Sequence, residues 1–186
     1  GLNTKFKASK EKPFHINTND FDDDDDQDIV LSTYYKGELV PIRGRECSSG
    51  EMPFIKEKYP TFEGFANATL EELYTEEKLE TSIHLEVNTF ASIVLMSNKD
   101  GYDYVRLPMN AQVSPINRSI IQDFDNDGNK DIIVGGNMFH TEVETPRYDS
   151  GVGLMIKVDR DGNFKPIHSL YSGIFLNKDV KDIDPI

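Results

Sequence analysis

The stretch DFDDDDDQDIVLS, Asp20 to Ser32, has a counterpart 103 residues further on in DFDNDGNKDIIVGG, Asp123 to Gly136. Aspartates occupy relative positions one, three, five and nine of both: Asp20, Asp22, Asp24 and Asp28 in the first, Asp123, Asp125, Asp127 and Asp131 in the second. Carboxylates two residues apart on a tight loop converge on one point, and their repulsion is offset when a hard divalent cation sits there. Calcium is the expected ion. A helix-loop-helix site would need a bidentate glutamate at position twelve, where this chain has Leu31 and Val134. The residues after position nine, Ile29 to Leu31 and Ile132 to Val134, instead favour a buried strand, so each loop is expected to join strand to strand. The expected ligands are the four aspartates of each loop plus the position-seven carbonyl of Asp26 or Asn129. Gly128 suits a left-handed turn at position six, where the first loop carries Asp25. The bland alternative is a solvated acidic turn. Two loops with the same offsets, both feeding strands of the same character, favour metal.

The chain of 186 residues carries a net charge of -13, and the two loops hold eleven of its 33 acids. That charge repels a polyanion and argues against nucleic acid as a partner. Length and a mean hydropathy of -0.52 fit a soluble protein with one real core. No stretch approaches a membrane span. The opening GLNTKFKASKEK is basic and lacks an apolar centre, so residues 1–12 read as a flexible lead-in and a targeting signal is not expected in this chain. A lone Cys47 forms no internal disulfide and decides little about compartment.

Around the second loop, Ser119 to Asp123 leads in and Asp131 to Gly135 leads out. Gly151 to Asp159 supplies a third strand, and the RDGN turn at Arg160 to Asn163 opens a hairpin into FKPI. Four short antiparallel strands make one blade of a β-propeller, placed at 116–178, with a further strand-like unit starting at 179–186. A first blade is placed at 13–115, from FHINT and IVLSTYY to the hairpin FASIVLMSNKDGYDYVRLP. It contains a helical insertion at about 46–83. There Thr69 and Glu72 spell a capping box, and Ser48 with Glu51 suggests a shorter helix. The fold expected is mainly β: a partial propeller of four-stranded antiparallel blades with a short helical insertion. Two blades do not close a ring, so the chain is expected to be an excerpt of a longer protein. Its exposed sheet edges would be covered by a second copy, a rearranged strand or the missing blades.

The DFDxD loops, MPFIKEKYPTFEGFANATLEELY, AQVSPI at Ala111 to Ile116, and GGNMFHTEVETPRYDSGVGL together resemble the FG-GAP/VCBS-repeat proteins. Among these the chain is most similar to the bacterial subgroup that carries an ASPIC/UnbV domain, related to the cartilage acidic protein type. The resemblance spans about Pro13 to Asp184. It implies a calcium-binding propeller like the integrin α head, exported or surface-exposed, with no assigned reaction. Calcium roles carry over onto Asp20, Asp22, Asp24, Asp26, Asp28, Asp123, Asp125, Asp127, Asn129 and Asp131. Asp25 departs from the glycine usual in the family. The ASPIC/UnbV module itself would lie outside this chain.

Catalytic constellations are not legible. His15, His84, His140 and His168 are scattered without metalloprotease spacing, and Ser150 lacks a nucleophile elbow. One long loop, Asn137 to Ser150, mixes Glu142, Glu144, Arg147 and Tyr148, groups that bind a protein or glycan partner when held on a rigid scaffold. The plain alternative is an Arg147 paired with Glu142, Glu144 or Asp149. Tyr34, Tyr35, Tyr102 and Tyr104 suit either sugar stacking or half-buried packing. The expected function is therefore a non-enzymatic, calcium-binding scaffold for protein interaction or cell adhesion outside the cytoplasm. Its alternatives are a carbohydrate-binding module and an accessory domain of an exported hydrolase.

Overall fold

The apolar runs that follow the acidic loops each form the body of a strand, and each is the second strand of its sheet. The computed structural model describes residues 1–142 and 145–184. The chain divides into a unit of Lys5–Phe90 and a unit of Gly1–Thr4 together with the chain from Ala91 onward. The protein is mainly β, with three antiparallel sheets among the described residues.

In the Lys5–Phe90 unit, β1 (Phe14–Asn19) runs into the first acidic loop and β2 (Asp28–Tyr35) runs out of it. A hairpin through Lys36 and Gly37, both at positive φ (50° and 98°), returns the chain as β3 (Glu38–Pro41). Five short helices follow: α1 (Arg45–Glu51), α2 (Phe54–Lys58), α3 (Phe62–Asn67), α4 (Leu70–Tyr74) and α5 (Glu76–Glu80). Then β4 (Ile83–Val87) pairs with β1 on the side away from β2, giving the order β3-β2-β1-β4. The fourth strand of this sheet thus comes from IHLEV directly after the helices, not from the FASIVLM hairpin. Phe21 and Val30 reach from the loop and β2 into a core of Met52, Ile55, Phe65, Leu70, Leu73 and Tyr74. Thr69 and Glu72 form the capping box that opens α4. Thr75 at φ 64° then breaks the helix, and its side chain caps α5. Ser48 opens no helix. It lies buried inside α1, which starts at Arg45 after Gly44. Residues 5–12 form no regular element, yet Phe6 packs edge-on against Phe14 with ring centres 5.4 Å apart.

In the second unit, β5 (Ile93–Asn98) and β6 (Gly101–Arg106) close on themselves as a two-stranded sheet. The expected hairpin therefore exists, but it groups with the second acidic loop, not the first. A 3₁₀ turn at Met109–Gln112 leads to β7 (Ile116–Gln122), β8 (Asp131–Gly136), β9 (Leu154–Val158) and β10 (Phe164–Ile167), which pair in simple sequential order. Every residue of β8 is buried, and Ile132, Val134 and Ile156 form the core with Leu107 and Ala111. Gly136 is required by close approach, since a Cβ there would lie 1.7 Å from the Pro115 carbonyl oxygen. After the single turn α6 (Ser169–Ser172), residues 173–184 form no strand. They lie along the sheet through Leu176 N–H to Val152 O (2.7 Å) and Val180 N–H to Gly136 O (2.9 Å). Leu2 and Asn3 donate to the Gln112 carbonyl at 2.8 and 3.1 Å.

Candidate metal centres

The two acidic loops fold alike down to individual hydrogen bonds. At position one, Asp20 accepts N–H groups from Asp24 (3.1 Å) and Asp25 (3.0 Å), and Asp123 accepts from Asp127 (3.2 Å) and Gly128 (2.9 Å). At position five, Asp24 accepts from Asp26 N–H (2.9 Å) and Asp127 from Asn129 N–H (2.8 Å). At position nine, Asp28 accepts from Phe21 N–H (3.0 Å) and Asp131 from Phe124 N–H (3.3 Å). Backbone φ is positive at the same two places, 64° and 71° at Asp23 and Asp25, 59° and 87° at Asn126 and Gly128. Asp25 takes the left-handed turn that the sequence made costly for a residue with a side chain.

Carboxylate oxygens of Asp20, Asp22 and Asp28 lie within 4.8 Å of one another, as do those of Asp123, Asp125 and Asp127. Asp24 and Asp131 are not among these converging oxygens, although Asp24 still acts on the Asp22 carboxyl and Asp131 is fully buried. Asn129 donates its side-chain amide to Asp127 at 3.0 Å. Asp22 and Asp131 each keep one buried carboxylate oxygen without a hydrogen-bond partner. Buried, unpartnered anionic oxygens beside converging carboxylates fit a hard cation with oxygen ligands. When bound, calcium would supply only charge and coordination, drawing the position-one to position-nine side chains together.

The electrostatics of the first loop agree. Burial pushes the Asp22 carboxyl up, and the charges of Asp24 and Asp20 add to it. Burial also raises Asp28, with Asp22, Asp24 and Asp20 contributing, although the Phe21 N–H opposes the rise. For Asp20, the N–H groups of Asp25, Asp24 and Asp23 outweigh a partial burial that acts the other way, and its carboxyl is held low. In the second loop the Asn129 N–H holds Asp127 low despite partial burial, with help from Lys157.

Two lysines that sequence reading overlooked stand at these loops. Lys157 on β9 pairs with Asp125 and, at 3.4 Å, with Asp127. Lys78 on α5 pairs with Asp23 and donates to the Asp20 carbonyl at 2.6 Å.

The long loop after β8 is held from within. Asn137, fully buried at φ 79°, accepts from Ser114 Oγ (2.6 Å) and Gly151 N–H (2.8 Å) and donates to the carbonyls of Gly151 and Lys178. Met138 and Tyr148 exchange backbone hydrogen bonds, and Arg147 lies 4.1 Å over the Phe139 ring and 3.4 Å from Asp149. Glu142 accepts from the Thr145 hydroxyl at 2.9 Å. Glu144 lies outside the described residues. Arg147 is thus paired with Asp149 inside the loop, and the backbone of Tyr148 closes it. Of the tyrosines, Tyr34 and Tyr35 stand on β2, whereas Tyr102 and Tyr104 share one face of β6 and are 72% and 55% exposed.

The histidines were not as scattered as their spacing suggested. His15 Nδ1 and His84 Nε2 are 2.8 Å apart, with their rings stacked at 5.1 Å. Burial, followed by the His84 charge, pushes the His15 pKa down. No helix among the described residues is long and apolar enough to cross a membrane. Compared with known protein families, with curated proteins and with solved structures, the chain finds no match.

Proposed function

We propose that this chain is a calcium-stabilised, non-enzymatic scaffold made of propeller-type blades of the FG-GAP/VCBS kind, and that it works outside the cytoplasm in protein interaction or adhesion. The observation that carries the reading is the repeated loop: two segments 103 residues apart share hydrogen bonds and positive-φ positions, and each links the first two strands of a sheet. The sequential order of β7 to β10 supports the blade assignment. The sheet of the Lys5–Phe90 unit departs from that order because β4 covers the β1 edge. Calcium locks each strand pair by binding the folded loop better than the open chain.

The test is thermal melting of the full chain in calcium and in EDTA, with Asp127→Ala alongside. Chelation is expected to lower the melting temperature, and Asp127→Ala to reproduce most of the second loop's share. Identical melting in both media overturns the proposal. The exposure of Tyr102 and Tyr104 on one strand face favours a second reading, carbohydrate binding by ring stacking. On a glycan array the protein-partner reading predicts no hits, and hits removed by Tyr102→Ala would replace it.

A further inference from the structure

We infer that His15, His84 and Glu86 form a binding site for a borderline divalent transition-metal ion, zinc in the first place, separate from both acidic loops. The register of the β1–β4 pair builds it. His15 lies opposite Glu86 and Asn17 opposite His84, and strand alternation puts all four on one face. One atom each of His15, His84 and Glu86 lies within 4.8 Å of the others.

The distances suit a small tetrahedral ion. Ligands held at about 2.05 Å by such an ion stand roughly 3.3 Å apart. His15 Nδ1 to His84 Nε2 is 2.8 Å and His15 Nδ1 to Glu86 Oε1 is 3.9 Å, so one gap opens and the other closes by about half an ångström, within ordinary side-chain movement. Two imidazoles and one carboxylate are the donor set zinc takes when a coordination position is left for water, whereas calcium prefers oxygen alone.

Two further observations point to a cationic ligand and not to a plain histidine pair. First, His15 and His84 line a cleft of about 530 Å³ whose other walls include Glu38, Glu71, Glu76 and Glu80, and no lysine or arginine lines it. Second, His15 is 94% buried, and its Nε2 has no hydrogen-bond partner. The cross-strand neighbour of His15 is Ser32, whose fully buried Oγ is also unpartnered. A His15 that ligates through Nδ1 carries its proton on Nε2, and the cross-strand Ser32 Oγ is an acceptor of the kind that fixes such a tautomer. Tyr34 packs edge-on against His15 at 5.6 Å and limits the ring's freedom.

The test uses the full chain in saturating calcium, so that the acidic loops are occupied or shown inert before zinc is added. Zinc is titrated against a chromophoric chelator, and cobalt(II) is used as a spectroscopic stand-in. One equivalent of zinc and visible cobalt bands of tetrahedral intensity are expected. His84→Gln and Glu86→Gln, both at exposed positions, should each weaken zinc by more than about 100-fold, while His140→Gln leaves binding unchanged. Circular dichroism of each variant confirms folding. Absence of stoichiometric zinc binding, or binding that survives both His84→Gln and Glu86→Gln, overturns the inference. Loss of the calcium response in melting would leave this result unaffected.

Discussion

Replacing Asp131 by asparagine should change the protein's stability less favourably in calcium than in its absence. Asp131 is fully buried, its Oδ2 receives only the Phe124 N–H at 3.3 Å, and its Oδ1 has no partner. In EDTA a buried carboxylate without a cation costs several kcal/mol, more than the about 1 to 3 kcal/mol for an amide with unmade hydrogen bonds. Asp131→Asn should then be equal to or more stable than the parent. In calcium at a hundredfold excess over the dissociation constant, one occupied loop adds about 2.7 kcal/mol. If losing this anionic ligand weakens binding about a hundredfold, only about 0.4 kcal/mol of that remains. The difference between variant and parent should therefore swing by about 2.3 kcal/mol between the two media. Urea unfolding followed by circular dichroism in calcium and in EDTA reads this directly. An equal effect of the substitution in both media would make Asp131 an ordinary structural acid and not a calcium ligand.

Three further outcomes follow from other contacts. Lys157→Met removes the ammonium that pairs with Asp125 and Asp127, so calorimetry should find tighter calcium binding at the second loop and an unchanged first loop; weaker binding would mean that the lysine organises the site. The Tyr74 hydroxyl, buried beside Phe21 and Phe54, is pushed up to about 12 by burial. The unfolded chain ionises at about 10, so the neutral ring's contribution is complete below pH 10 and about 3 kcal/mol of it is lost as pH rises toward 12. Tyr74→Phe should remove that part of the alkaline slope in unfolding curves, and an unaltered slope would contradict it. Gly136→Ala forces a Cβ onto the Pro115 carbonyl and should destabilise by at least about 3 kcal/mol, whereas Gly162→Ala, with nothing within 4 Å but φ at 79°, should show only the milder cost of backbone strain in melting.

How far the sequence revealed this structure depended on the range of the interaction. The acidic loops, the strands after them, the Lys99–Gly101 hairpin and the Thr69–Glu72 capping box were legible because each is set by residues a few positions apart. Strand pairing across long separations was not. IHLEV alternates apolar and polar residues as a strand should, yet nothing local says that it joins β1 at a sequence separation of 69, that of His15 and His84. The hairpin at 93–106 was correctly seen as a hairpin, but its grouping follows from packing at Leu107 and Ala111, which no short pattern encodes. The break at Thr75 was hidden for a related reason. TLEELYTEEKL reads as one helix by propensity, and a threonine that can cap a second helix with its side chain splits it. Lys157 and Lys78 escaped notice because their partners are 32 and 55 residues away.

The most direct test is a crystal structure of the chain grown with ample calcium. A spherical peak is expected in each acidic turn, ringed by about seven oxygens at 2.3 to 2.6 Å, with Asp20, Asp22 and Asp28 around one and Asp123, Asp125 and Asp127 around the other. Both turns found without an ion under those conditions, with Lys157 and Lys78 still paired to their aspartates, would contradict it.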